Sequence, residues 1–342
     1  MRAPREPDFA NLLAVLQRKA PSRPTLFEFI LCEALFPHYD IAPPPPDDPK
    51  AQLQAWIELF AAAGYDFAVV HPAWPPFIHF SLGDQAEMES YSANEGGVVK
   101  DWDDLDQLTW PEVNEQAFEI IDELASELPD GMKFVVPANC GVLENLIKVV
   151  GFEDLCLLTL EDPELVQAVT DEVGRRLVRH YELALACESV GAIIQNDDWG
   201  YRTQTMLSPA DLRRYIFPWH KRMASMAHQC GRPVILHSCG NLDEVWDDVV
   251  DDIQADGKHS YEDAICPVED AYERLHPRLA VLGGLDMDYV CRSRPEEVYR
   301  RARSMVERSA QRGGYAVGTG NSVPDYVPIE NYRAMLNAAL DG

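Results

Sequence analysis

The stretch VILHSCGN (residues 234–241) carries two side chains able to hold a soft cation, His237 and Cys239, one residue apart. On an extended strand they share a face and Ser238 takes the other. An imidazole nitrogen beside a thiolate is half of a tetrahedral Zn²⁺ site. The plain alternative is a buried thiol next to a hydrogen-bonded core histidine, because short metal motifs often arise by accident. NDDWG (196–200) adds two adjacent carboxylates, Asp197 and Asp198, of which only one can face the same way as the pair. Such a carboxylate serves as a ligand, a general base or an anchor for a protonated substrate group, or else as an acidic helix cap. Glu28 in TLFEF sits at a strand end, where packing does not explain a carboxylate, and is read as catalytic. Lys258 and His259 in GKHSYED could bind an anion or a carboxylate, or belong to a solvated loop. His71 precedes Pro72, which holds it extended, and is read as a core histidine. GTGNS (318–322) lets backbone approach a ligand, yet lacks the P-loop lysine and the dinucleotide fingerprint, so it is not read as a nucleotide loop.

The elements that must position these residues follow one rhythm: a short apolar strand, a polar residue at its end, then an amphipathic helix. Eight such strand ends occur, near Glu28, His71, Asn139, Asp197 and Asp198, His237, His259, Asp286 and Asn321. Strands alternating with helices imply parallel βαβ units, and eight units imply a closed (β/α)8 barrel. In that fold the C-terminal strand ends converge on one mouth, so residues scattered in sequence meet in space. Asn139 and Asn321 are read there as cofactor-binding positions. The helices fit the scheme. Ser208 and Pro209 open one as N-cap and first helical residue, and Pro218 inside it predicts a kink. TLEDPELVQAVTDEVGRRLVRHYELALACESVG shows an apolar stripe through Val166, Val169, Val173, Leu177 and Tyr181. Two stretches break the rhythm. IAPPPPDDPK (41–50) is a proline-rich loop, and residues 73–111, after the second strand, are long enough to form a hairpin or lid. A short amphipathic helix precedes the barrel. No linker divides the chain, which is read as one domain over 1–342.

With 342 residues and 46% apolar content the chain can bury a large core. There are 57 acidic against 29 basic residues, a net charge of −28, which disfavours nucleic acid and anionic membrane surfaces as partners. No apolar run reaches membrane-spanning length, and the N-terminus lacks a signal-peptide core, so a cytoplasmic location is expected. The eight cysteines show no framework spacing and are expected to be mostly buried thiols.

Several motifs occur in order along nearly the whole chain: RPTLFEF, NDDWGYRTQTMLSPADLRRYIFPWHKR, LHSCGNLDEVWDDVVDD, KHSYEDAICPVEDAYERL, LGGLDMDYVCRSRPEEV and GGYAVGTGNSVPDYVPIENYRAML. Together they resemble the uroporphyrinogen decarboxylase superfamily, and specifically its cobalamin-dependent methyltransferase-like branch. The resemblance implies the same (β/α)8 barrel. Uroporphyrinogen decarboxylases carry an arginine-rich stretch near the first strand. Here TLFEFILCEALFPHYD has no arginine, which argues against a porphyrinogen substrate. His237 and Cys239 match the branch's zinc-binding H-x-C. The branch's third ligand is a cysteine at the end of the last strand, where this chain has Thr319, so either Glu28, Asp197, Asp198 or His259 completes the site, or the metal is bound weakly or not at all. The implied function is a zinc-dependent methyltransferase component that moves a methyl group between a methoxy, methylamine or thiol substrate and a corrinoid. No cobalamin-binding domain is read in this chain, so a partner protein would carry the corrinoid. A homodimer is compatible with the pattern. The alternatives are a cofactor-free decarboxylase or lyase on a small carboxylic acid, using Glu28, Asp197 and His259, and a non-catalytic barrel with a vestigial site.

Overall fold

The computed structural model describes residues 5–80 and 97–341. Seven parallel strands hydrogen-bond in sequence order: β1 (Phe67–Val69), β2 (Lys133–Pro137), β3 (Val190–Asn196), β4 (Val234–His237), β5 (Gly257–His259), β6 (Ala280–Leu282) and β7 (Tyr315–Ala316). β3 is buried at every position, as a strand covered by helices on one face and filled by neighbours on the other must be. The register pairs Asn196 with His237 and His237 with His259, so three strand ends reach the same height.

The first expected strand, TLFEF, is reduced to a single bridge between Leu26 and Val317. Two backbone bonds make it: Phe27 N–H donates to Val317 O at 2.7 Å, and Val317 N–H to Thr25 O at 2.8 Å. On its other side the Phe27 and Phe67 rings lie 5.5 Å apart. This segment occupies the eighth position and gives the sheet its (β/α)8 barrel form, with the seam held by few ladder bonds.

The helix Phe9–Leu16, capped by Asp8, lies across the N-terminal end of the barrel. Leu16 comes so close to β5 that a Cβ on Gly257 would meet it at 2.7 Å, so a larger residue there would have to displace the leucine. The expected stripe of Val166, Val169, Val173, Leu177 and Tyr181 is buried on Pro163–Ala186. Asp162 caps that helix and separates it from Phe152–Glu161, so the single segment expected from the sequence becomes two helices. The kink expected at Pro218 takes a different form. A π-turn over Leu212–Ile216 leads into Phe217–Gln229, and Pro218 falls in the first turn of that helix, where a missing N–H costs little. Part of the expected lid, residues 81–96, lies outside the described residues. Beyond it the chain forms the helix Trp102–Gln107. Among the described residues no helix is long and apolar enough to cross a membrane. Cys32 and Cys187 are buried, but Cys230 is exposed and the other five thiols are partly open, so burial is less general than expected.

Candidate metal centre at the barrel mouth

β4 ends on His237, and the chain turns at Gly240 with φ +82°, a conformation that disfavours a side chain. A Cβ on Gly240 would also stand 2.1 Å from Gly200 O. This close turn sets Cys239 back towards the mouth beside His237. The loop after β3 then delivers Asp198, whose Oδ1 accepts the Cys239 N–H at 2.7 Å. One ligand atom from each of Asp198, His237 and Cys239 lies within 4.8 Å of the others.

The proton positions around His237 follow from its neighbours. The Thr319 carbonyl can only accept, so His259 Nε2, 3.1 Å away, carries a proton. Burial holds the His259 imidazole neutral, pushed down to about 3, so its Nδ1 is a bare lone pair. His237 Nδ1, at 2.8 Å, must therefore donate to it. Burial, and then His259, also keeps His237 neutral, well below the usual histidine range. Its Nε2 is left without a proton, 3.8 Å from Cys239 Sγ. The Phe29 ring packs on the imidazole with centroids 4.5 Å apart and helps fix its plane.

Cys239 Sγ also receives the Asn321 Nδ2–H at 3.3 Å and lies 3.6 Å from Ser260 Oγ. Burial, and then Asp198, pushes this thiol up to about 12. Asp198 itself is raised, first by burial, against the opposing Cys239 N–H bond. Without a cation the Cys239 thiol thus keeps its proton; a divalent ion would displace it. Oxygen, nitrogen and sulfur donors in one group suit Zn²⁺, which accepts all three.

The other residues singled out from the sequence lie elsewhere. Asp197 is fully buried and heavily bonded: it accepts from Leu143 N–H, Glu144 N–H, Trp199 Nε1–H and His220 Nε2 at 2.8–3.0 Å. It caps the helix Val142–Val150 and ties β3 to His220, so the bonds it makes are to the barrel wall. Glu28 alternates with Phe27 and Phe29, which point into the barrel, and so faces outward. There Oε1 accepts the Thr319 N–H at 2.7 Å, and Oε2 pairs with Thr319 Oγ1 at 2.7 Å. Thr319 Oγ1 also faces Asn321 O. One hydroxyl proton cannot serve both, so the pattern is complete when Glu28 is protonated and donates. Burial has the same sense, pushing Glu28 up to about 8. Glu28 therefore closes the barrel seam and is not at the mouth. His259 lies one bond behind His237, orienting it.

Lys258 and His259 belong to β5 and are buried, contrary to a solvated loop. Burial pushes Lys258 down to about 8; its Nζ donates to Ser260 O and stands 4.3 Å from the Tyr261 ring centroid. Asn139 is engaged through Nδ2 with Pro72 O at 3.2 Å, whereas Asn321 holds Cys239. His71 is only partly buried and stacks on Trp56 with centroids 5.5 Å apart, facing a cleft rather than the core.

Sequence reasoning missed Glu144. Burial, then Asp197 and Asp198, pushes this carboxyl up to about 8, and its Oε2 accepts the Gly141 N–H at 3.3 Å. Its signal was a glutamate three residues after the helix-opening Gly141, the capping-box spacing.

Parallel strands closed on themselves, with titratable and soft-donor side chains gathered at their C-terminal ends, define a (β/α)8 barrel with a candidate metal centre. The family model described as uroporphyrinogen decarboxylase (URO-D) matches residues 86–341, and the chain belongs to that family. Among curated proteins it is 29% identical over 180 residues to the uroporphyrinogen decarboxylase of Syntrophotalea carbinolica, covering 53% of this chain and 50% of that one. It is 24% identical over 191 residues to that of Anaeromyxobacter dehalogenans, covering 55% and 51%. The chain thus spans about half the length of the curated relatives it matches. A methyltransferase from Methanosarcina mazei superposes with a TM-score of 0.72 at 15% identity, covering 97% of both chains, which shows the shared fold.

Proposed function

We propose that this protein is a metal-dependent methyltransferase component, of the methyltransferase-like branch of its family, acting between a small substrate and a corrinoid protein. One observation carries the reading. The relay from Thr319 O through His259 leaves His237 Nε2 unprotonated within the group that includes Cys239 and Asp198. Such a relay is how proteins fix a metal-ligating imidazole.

His237 Nε2, Cys239 Sγ and an Asp198 oxygen would hold the ion. Zn²⁺ in such a site supplies Lewis acidity, lowering the pKa of an acceptor thiol or polarising the heteroatom that bears a methyl group. The chain's own groups do the rest. His259 keeps the His237 proton on Nδ1. Asn321 orients the sulfur through its Nδ2–H, and Phe29 covers the imidazole from water. Lys258, anchored on Ser260 O, places a buried amine behind the sulfur. A corrinoid protein would dock over the mouth and present its cobalt there, and the chain is proposed to act as one domain over 1–342. This machinery would operate in the cytoplasm.

The names of the curated relatives favour a second reading, a decarboxylase. Against it, residues 25–40 contain neither arginine nor lysine to receive substrate carboxylates. Metal analysis of purified protein separates the two. About one equivalent of zinc is expected, falling below about a quarter in His237→Ala. Substoichiometric metal that ignores the substitution would sink the first reading. Methyl exchange with a methylated or cobalt(I) corrinoid protein then tests the transfer itself.

A further inference from the structure

A cleft of about 670 Å³ opens between the segments that follow the seam strand, β1 and β7. Two stretches of chain lead from the candidate metal centre into it. Phe29 packs on His237, and the next residue, Ile30, lines the cleft. Asn321 holds Cys239, and Val323 lines the cleft, with its N–H bonded to Ile30 O at 2.9 Å. The cleft thus begins one residue beyond Phe29 and two beyond Asn321, the residues that touch His237 and Cys239.

Its walls are apolar and its rim is acidic. Trp56, Trp74, Pro44 and Pro46 supply the walls. The Trp74 indole N–H is committed to Pro49 O at 3.0 Å, which leaves ring carbon towards the cleft. His71 Nδ1 accepts the Ala73 N–H at 3.2 Å, and burial holds this ring on the neutral side of the usual range. Glu33 and Asp325, both exposed, supply two carboxylates. Burial, then Asp325, pushes the neighbouring Cys32 thiol up to about 11, so it stays protonated. No arginine or lysine is among the described residues lining the cleft. A polycarboxylate would enter against both carboxylates and against a net charge of −28. A cation with an apolar coat meets the opposite field and walls that match its coat.

We propose that the cleft binds an N-methylated ammonium compound, its alkyl groups against the proline and indole walls and its charge facing Glu33 and Asp325. This names a substrate class for the methyl-transfer reading and takes its relevance from that reading, but the binding itself needs no metal.

Calorimetric titration with choline, its neutral isostere 3,3-dimethylbutan-1-ol and tricarballylate tests it on the purified full chain. Choline is expected to bind, more weakly as salt rises, and about tenfold tighter than the neutral isostere. The double variant Glu33→Gln, Asp325→Asn should lose about five- to tenfold in choline affinity with unchanged circular dichroism and metal content, both side chains being exposed. Equal binding of choline and the alcohol, tighter binding of tricarballylate, or choline affinity untouched in the double variant would each overturn the proposal. Choline binding retained within about twofold in metal-free His237→Ala keeps the two readings separable: the cleft can hold while the metal centre fails, and the reverse.

Discussion

Asp197 and Asp198 leave β3 side by side, yet the first accepts four hydrogen bonds while the second accepts the Cys239 N–H and faces its thiol. The same residue type therefore does two jobs one position apart. Asp197 looks back into the barrel wall, where two helix amides, an indole and an imidazole converge. Three of the four bonds fall on Oδ2 and one on Oδ1, all from groups of the barrel wall. Asp198 looks to the mouth, where burial raises its pKa and it lies within ligand distance of His237 and Cys239. What separates structure from chemistry at this site is the number of donors already satisfied, not the burial or the residue type.

That contrast can be broken at its strongest point first. Asp197→Ala would strand four donors in the interior, and a loss of about 3–5 kcal/mol in urea unfolding is expected, since an orphaned buried network costs far more than an absent one. A loss under about 1 kcal/mol would show that the four bonds are not what holds β3 to its helix.

Glu28 extends the comparison to a carboxylate that is satisfied by being protonated. Its folded pKa, about 8, lies above the ordinary carboxylate value near 4.3. Its contribution is therefore greatest below about pH 4 and is lost as the pH rises through 8, by at most about 1.4 kcal/mol per unit. Glu28→Gln reproduces the protonated pattern, with Nε2–H donating to Thr319 Oγ1. It should match the wild type near pH 4 and exceed it increasingly up to pH 8. Parallel stability–pH curves for the two proteins would refute the assignment.

The smallest effect on folding belongs to Asp198→Asn. Its Oδ1 can still accept the Cys239 N–H, so unfolding should shift by less than about 1 kcal/mol. Zinc affinity should nonetheless fall by about 10- to 100-fold in a chelator competition. If Asp198→Asn unfolds like Asp197→Ala, or binds zinc normally, the contrast between the two neighbours disappears.

The barrel was legible in the sequence because strand ends repeat with one chemistry, and a repeat survives local ambiguity. The His237–Cys239 pair was legible because strand alternation fixes which side chains share a face. Which of Asp197 and Asp198 reaches the mouth was not, because both leave the strand at its end, where alternation no longer governs. Glu28 could have been placed by the same rule that placed His237: its strand neighbours Phe27 and Phe29 are large, apolar and inward. The polar identity of Glu28 suggested chemistry, but its partner, Thr319, lies 291 residues away and no local pattern shows it. Lys258 misled for the opposite reason, since a lysine between a glycine and a histidine reads as surface until the aromatic cover of Tyr261 is seen.

The orienting chain behind His237 ends on the Thr319 carbonyl, while the Thr319 side chain turns to Glu28. A main-chain oxygen is the same in every residue type. Divergence at position 319 can therefore rewrite the barrel seam without disturbing the tautomer that the imidazole presents. A cysteine introduced there would inherit the side-chain direction and carry its sulfur towards Glu28. The histidine thus stays poised whatever side chain stands at 319, held by an atom that mutation cannot replace, while the oxygen donor of the cluster comes from Asp198 in the loop after β3.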